Sequence, residues 1–348
     1  MIRRLFLVAV VLALLIGGLA LWARQRMVTP YKAFAGEEVF VELPPGTGVS
    51  GIANRLVSAG VVPDVWTFRL AARFTGADRK LQAGEYRFSG ETPPSEVIAR
   101  LVAGDVFTRP ITFPEGLTIV EMSAIFERSG LGTAKEFVAA ASDTTLIDAF
   151  DPQARSLEGF LFPDTYALPR GTSADDAVRA MVTRFGRAFD AGLRAEAAAR
   201  QMTPRDVLTM ASLIEKETAR ADERTVVSAV YHNRLRIGMP LQCDPTVIYA
   251  LMLARKWNGN LRRVDLQMPS PYNTYVVRGL PPGPIASPGR ASIEAALRPA
   301  DSPYLYFVSR NDGSHVFART LAEHNRNVLE WQIRAKGKGQ RAKGGTKP

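Results

Sequence analysis

Residues 5–22, LFLVAVVLALLIGGLALW, run for eighteen positions without a charged side chain. As a helix rising 1.5 Å per residue they would span about 27 Å, close to the hydrocarbon thickness of a bilayer. No other segment of the 348-residue chain is as long and apolar. Arg3 and Arg4 precede the stretch and Arg24 and Arg26 follow it, so the flanking charge alone does not orient it. A cleaved signal peptide is the rival reading, but its apolar core is normally shorter, and Trp22-Ala23-Arg24 is a poor small-x-small cleavage site. We therefore expect an uncleaved single-pass anchor at 5–23, with a short cytoplasmic segment at 1–4, a connector at 24–37 and the rest of the chain exported.

Downstream, the chain repeats itself once. VELPPGTGVSGIANRLVSAGV at 41–61 aligns with ITFPEGLTIVEMSAIFERSGL at 111–131 at a constant shift of 70. Pro44 falls on Pro114, Gly46 on Gly116, Ile52 on Met122, Leu56 on Phe126 and Gly60 on Gly130. Each copy predicts a strand, a Pro/Gly turn and a helix ending at glycine, with apolar residues three and four apart on one face. Between the copies, Asp64 is placed to cap a helix carrying Trp66, Leu70 and Phe74. EYRF at 85–88 reads as a strand, and Thr92-Pro93 opens a helix that ends at Gly104. These make a small α+β module over 38–105.

Residues 106–335 predict a larger α+β domain. A long helical stretch covers 174–200, and Thr203-Pro204-Arg205-Asp206 starts another helix that runs through LTMASLIEKETA. A further helix ends at Gly238, and Asp244-Pro245 caps a short one. Residues 267–289, rich in Pro and Gly, read as an ordered loop. YLYFVSR and HVFAR around NDGS form a hairpin, and Thr320 with Glu323 a capping box. The tail KGKGQRAKGGTKP, 336–348, has no large apolar residue and reads as disordered.

Charge and cysteine usage narrow the function. The net charge of +10 is spread along the chain, and no RRM, zinc-finger or helix-turn-helix signature supports nucleic-acid binding. One cysteine, Cys243, excludes an intrachain disulfide. His232, His315 and His324 do not form an H-E-x-x-H arrangement, so no zinc site is expected.

On the helix over 204–220, Glu215 lies beside Ala211, Ser212, Thr218 and Ala219, all small and none cationic. Glu217 faces nearly the opposite way, beside Arg220 and one turn from Arg224. The wheel therefore predicts an exposed ion pair for Glu217. For Glu215 it predicts a partnerless acid on a floor of small side chains, where partial burial would keep it protonated as a general acid requires.

Five spaced motifs carry a family resemblance: LEGFLFPDTY (157–166), ASLIEKET (211–218), NRL with GMPLQCDPTVIYAL (within 233–251), SPYNTY with GLPPGPIASPG (within 270–289), and HVFARTLAEHN (315–325). In order and spacing they resemble the endolytic murein transglycosylases, the YceG-like family, and the module at 38–105 is similar to that family's LysM-like membrane-proximal region. The resemblance implies a single-pass inner-membrane protein with a YceG-like catalytic domain in the periplasm. It implies cleavage between MurNAc and GlcNAc within peptidoglycan glycan strands, leaving 1,6-anhydro ends, and association with penicillin-binding synthases. It needs no metal and no cofactor. The first acid of the family's E-K-E-T motif is Glu215 here. Glu158, Tyr166, Gln242, Asp244, Asn273 and Tyr275 are motif groups that could contact sugar, each with a structural alternative: Glu158 and Asp244 as turn or cap residues, Tyr166 as a core aromatic. Two departures from the family pattern are mild: Leu213-Ile214 before the glutamate, and Cys243 where serine often stands. Two other readings stay open: a hydrolase using Glu158 or Asp244 as second carboxylate, and a non-catalytic peptidoglycan-binding scaffold.

Overall fold

The computed structural model describes residues 2–218 and 220–334, so the basic tail at 336–348 lies outside the described residues. Helices and strands mix along the chain behind one long apolar N-terminal helix. The chain divides into two compact units, residues 1–110 with 167–171, and residues 111–166 with 172–348.

The first unit contains α1 (Ile2–Val28), β1 (Glu38–Leu43), α2 (Val49–Ser58), α3 (Val65–Phe74), β2 (Gly84–Ser89) and α4 (Pro94–Ala103). β1 and β2 pair antiparallel, Glu38 opposite Ser89 and Leu43 opposite Gly84. Alternation along each strand sends Val41, Leu43, Tyr86 and Phe88 to one buried face, which Ile52 and Leu56 of α2, Phe68 of α3, and Val97, Ile98 and Leu101 of α4 cover. Asp64 caps α3 as expected, accepting from the Thr67 N–H at 2.8 Å. The apolar positions Trp66 and Phe74, however, point outward, 77% and 71% exposed, because Thr67, Phe68, Ala71 and Ala72 form the inward stripe.

α1 is long and apolar enough to cross a membrane. Its last turns do not behave as a loose connector. Residues 24–28 continue the helix, Ala23 is buried, and Met27 packs against the core of the module. The Arg26 guanidinium pairs with Asp64 at 2.8 Å. Beyond the helix, Tyr31 and Thr92 exchange backbone hydrogen bonds of 3.2 Å, and the Ala33 N–H donates to the Gly60 carbonyl at 2.8 Å.

The chain continues through β3 (Thr108–Phe113), α5 (Ile119–Arg128), α6 (Ala134–Ala140), β4 (Asp164–Pro169), α7 (Ala174–Ala188), α8 (Ala191–Ala199), α9 (Pro204–Glu217), α10 (Arg224–Arg236), α11 (Asp244–Leu253), α12 (Arg290–Leu297), β5 (Tyr306–Ser309), β6 (His315–Ala318) and α13 (Leu321–Val328). β3 pairs with β4, and β5 with β6 as the expected hairpin. The repeat is structural: adding 70 to the bounds of β1 and α2 gives those of β3 and α5, and Gly46 and Gly116 both turn at φ +78°. That left-handed conformation is the reason both turns need glycine.

The helical stretch expected over 174–200 breaks at Phe189, and Asp190 then caps α8 by accepting from the Leu193 N–H. α9 begins at the predicted start signal, with Pro204 in its first turn, and Thr203 and Asp206 close a capping box there. Every residue from Val207 to Ile214 is buried, so α9 is covered on all sides and forms the centre of the second unit, packed against α8, α10, α11 and α12.

Candidate active site

α9 ends at Glu217, and Thr218 leaves the helix at φ −137° and ψ 128°. Glu215 therefore sits in the last turn of a buried helix, its side chain only 8% exposed. One carboxylate oxygen accepts from the Gly289 N–H at 3.0 Å, and the other lies 4.0 Å from the Arg224 guanidinium. The small residues around it admit protein backbone. The Ser212 hydroxyl donates to the Thr209 carbonyl at 2.7 Å and accepts from the Ile285 N–H at 3.1 Å, which seats the Pro/Gly loop on α9. The floor of small residues is thus roofed by 285–289, and Glu215 is not the partnerless acid that its helical neighbours predict, because Gly289 and Arg224 reach it from outside α9.

The turn of the second repeat completes this corner. Gly116 packs where an added Cβ would lie 3.5 Å from the Glu215 Cγ, and the Lys216 ammonium donates to the Gly116 carbonyl at 3.1 Å. The Gly116 N–H donates to the Ser287 carbonyl, and the Ser287 N–H to the Leu117 carbonyl, both at 2.8 Å. This places Glu115 at the site. A Cβ on Gly289 would stand 1.8 Å from a Glu115 carboxyl oxygen, so only glycine leaves room for that side chain as it lies. Burial of its carboxyl, then repulsion from Glu215, raises the Glu115 pKa above the ordinary carboxylate value, with Arg224 partly opposing. Arg224 is itself 15% exposed, and its Nε has no hydrogen-bond partner among the described residues.

The expectation for Glu217 does not hold. Arg220 pairs with Asp222 at 2.7 Å and Arg224 turns to Glu215, so Glu217 is not an exposed ion pair. α9 ends at Glu217, before either arginine, so neither continues the helical face that Glu217 occupies. The Glu217 carboxylate accepts from the Tyr231 hydroxyl at 3.0 Å. Burial raises its pKa, opposed by hydrogen bonds from the Cys243 thiol and the Tyr231 hydroxyl. Burial, then the nearby Glu217 charge, raises the Cys243 pKa as well, so this thiol is a protonated core group.

The other motif residues divide. Asp244 and Tyr275 come together, the Tyr275 hydroxyl donating to Asp244 at 2.6 Å. Asp244 also lies close enough to Glu217 to repel its charge. Gln242 is exposed beside them, held at φ +51° with its N–H donating to the Thr274 carbonyl. Asn273 is fully buried and ties its own loop, donating to the Leu266 and Met268 carbonyls at 3.0 and 2.8 Å. Tyr166 is a core aromatic whose hydroxyl donates to the Phe162 carbonyl at 2.6 Å.

Glu158 accepts from the Ile119 N–H at the start of α5, at 3.2 Å, and from the Tyr249 hydroxyl at 3.2 Å. Burial pushes its pKa up to about 8. It also lines a cavity of about 470 Å³ with Asp151, Arg205, Tyr272 and Pro284. Asp244 and Glu158, the two candidate second carboxylates, are engaged by tyrosine hydroxyls, whereas Glu115 is the carboxyl that meets Glu215. The repeat held a signal for Glu115: it stands where the first copy has Pro45, an acid introduced into a turn that is otherwise matched.

The model of the YceG-like family matches residues 41–330. A Bacillus subtilis protein named endolytic murein transglycosylase is 34% identical over 329 residues, covering 90% of each chain. A Streptococcus pneumoniae protein of the same name is 30% identical over 338 residues, covering 86% of this chain and 60% of its own length. A crystal structure of a YceG-like protein from Listeria monocytogenes superposes with a TM-score of 0.58 at 31% identity, covering 84% of this chain and 99% of that one.

Proposed function

The chain belongs to the YceG-like family, and on that premise we propose that it is a peptidoglycan lytic transglycosylase that cuts glycan strands internally, with Glu215 as the catalytic acid and base. The observation that carries this reading is the setting of Glu215: a nearly enclosed carboxyl with one oxygen fixed by the Gly289 N–H and the other facing Arg224, beside a second carboxyl, Glu115. Burial and the neighbouring Glu215 charge raise the Glu115 pKa above the ordinary carboxylate value, so this corner holds an acid that keeps its proton to higher pH than a solvated carboxyl.

In the proposed reaction Glu215 protonates the glycosidic oxygen between MurNAc C1 and GlcNAc C4 as that C–O bond breaks. The C6 hydroxyl of the same MurNAc attacks C1, and the Glu215 carboxylate takes the hydroxyl proton. The C1–O6 bond that forms gives a 1,6-anhydro end, and the acid is restored without water. Arg224, with its free Nε, offsets the negative charge on the carboxylate between the two steps.

Glu115 also gives specific support to the hydrolase alternative, since a second carboxylate could activate water. Mass spectrometry of products from uncrosslinked glycan strands separates the two. Anhydro ends support the transglycosylase, and reducing ends support hydrolysis. We expect Glu215→Gln to lower release of either product by about 10²-fold or more while melting normally. Normal release by that variant sinks the assignment, and no release by the wild-type chain returns the scaffold reading.

We read α1 as a single-pass inner-membrane anchor with its N-terminus cytoplasmic, the module over 38–105 as LysM-like, and 106–335 as a periplasmic YceG-like catalytic domain. The long apolar helix supports the anchor. Association with penicillin-binding synthases follows from the family resemblance alone.

A further inference from the structure

α3 presents an outward face that the module's core does not use. Trp66, Arg69, Leu70, Arg73 and Phe74 fall at i, i+3, i+4, i+7 and i+8, one side of the helix. Trp66 and Phe74 are among the most exposed large apolar side chains of the chain, and Arg69 and Arg73 between them are exposed too. The Arg69 guanidinium lies over the Trp66 ring, 5.6 Å from its centroid. A soluble surface gains nothing from two projecting aromatics, but a helix that carries aromatics and arginines on one face suits the lipid–water boundary.

The neighbour of this face says what covers it. α1 reaches α3 at its last turns, where Arg26 pairs with Asp64 and also lies over the Trp22 ring at 5.4 Å. Trp22, Arg26, Asp64, Trp66, Thr67 and Leu70 line one small, mostly apolar cavity of about 390 Å³. Trp22 closes the eighteen-residue apolar stretch, where an interfacial tryptophan is expected in a spanning helix. Because Ala23 is buried and Met27 is packed into the module, α1 and α3 are joined without slack. Trp66 is therefore held at the level of Trp22. The acid nearest the start of the face, Asp64, is taken up by Arg26, which leaves Arg69 and Arg73 as its charges, with Asp78 at its far end.

We propose that this face of α3 is a docking surface for the outer leaflet of the membrane that α1 crosses, with Trp66 and Leu70 set among the lipid glycerol and upper acyl groups and Arg69 and Arg73 on anionic headgroups. The inference rests on the anchor reading. Its closest competitor, a face for glycan, becomes an outcome of the test.

The test uses the full chain reconstituted into phosphatidylcholine vesicles containing phosphatidylglycerol, with bromine on the upper acyl carbons as a contact quencher of tryptophan. Two single-tryptophan variants are compared: one keeps Trp66, with Trp22, Trp257 and Trp331 changed to Phe, and the other keeps only Trp22. We expect brominated lipid to quench both, Trp66 by about twofold as for an interfacial side chain. Arg69→Glu with Arg73→Glu should reverse quenching of Trp66 and leave that of Trp22. Quenching of Trp22 without Trp66 keeps the anchor and overturns the docking surface. Quenching of neither overturns both. Trp66 emission that ignores brominated lipid but shifts on adding chitin oligosaccharides assigns the face to glycan and overturns the proposal.

Discussion

At the scale of single residues, the site is organised by what glycine leaves out. Gly289 has an ordinary helical-entry backbone, φ −75°, so alanine is conformationally acceptable there. Its obstacle is the Glu115 carboxyl, 1.8 Å from the added Cβ. Gly289→Ala should therefore keep the melting temperature within a few degrees while displacing Glu115, and strand cleavage should fall by about tenfold or more as the acid pair is pulled apart. Unchanged cleavage would mean that Glu115 takes no part. The distinction between Glu215 and Glu217 was visible in the sequence only halfway. Helical spacing separated the two acids onto different faces and singled out Glu215. It could not show that Tyr231 and Cys243 would enclose Glu217, because those partners come from α10 and the loop before α11. Glu115 was hidden for the same reason, since its neighbours Gly289 and Arg224 are distant in the chain.

At the scale of elements, α9 and the loop over 285–289 act as one part. Ser212→Ala strands the buried Ile285 N–H, which should cost about 1–3 kcal/mol in denaturant unfolding and reduce cleavage as well, because the same loop carries Gly289. A loss of stability with full activity would separate the loop from the site. α5 offers a pH test. In the fold burial raises the Glu158 pKa to about 8, against an ordinary value of 4.5. The folded state thus binds more protons than the unfolded chain between those values, and stability must fall as pH rises through that window, by on the order of a few kcal/mol. Glu158→Gln should flatten the slope of melting temperature over that range, and an unaltered slope would show that another group causes it. Legibility followed the range of the signal. The helix start at Thr203, the capping box at Thr320, the hairpin and the repeated strand–turn–helix were readable because their rules are local. The break at Phe189 and the outward turn of Trp66 were not, because packing of distant side chains decides them.

At the scale of the whole chain, the first unit and its long helix form one body. Removal of residues 1–22 leaves Ala23, Arg26 and Met27 in place, whereas removal of residues 1–28 takes away a core contact and the Asp64 ion pair. Both truncated chains should leave the membrane fraction, but only the shorter one should show a lower first melting transition, by several degrees for a loss of about 1–2 kcal/mol. Equal melting would show that the helix end is not part of the core. The mixed fold was legible from alternating helix and strand signals; the packing of residues 24–28 was not, because nothing in their polar sequence marks Met27 as a core residue. The wide spacing of the acid corner has a consequence for the cell. Glu115, Glu215, Arg224 and Gly289 meet only after most of the polypeptide has emerged and closed. If Glu215 cuts as proposed, a chain still folding carries no working cutter, and nearby glycan stays intact until the last of the four arrives.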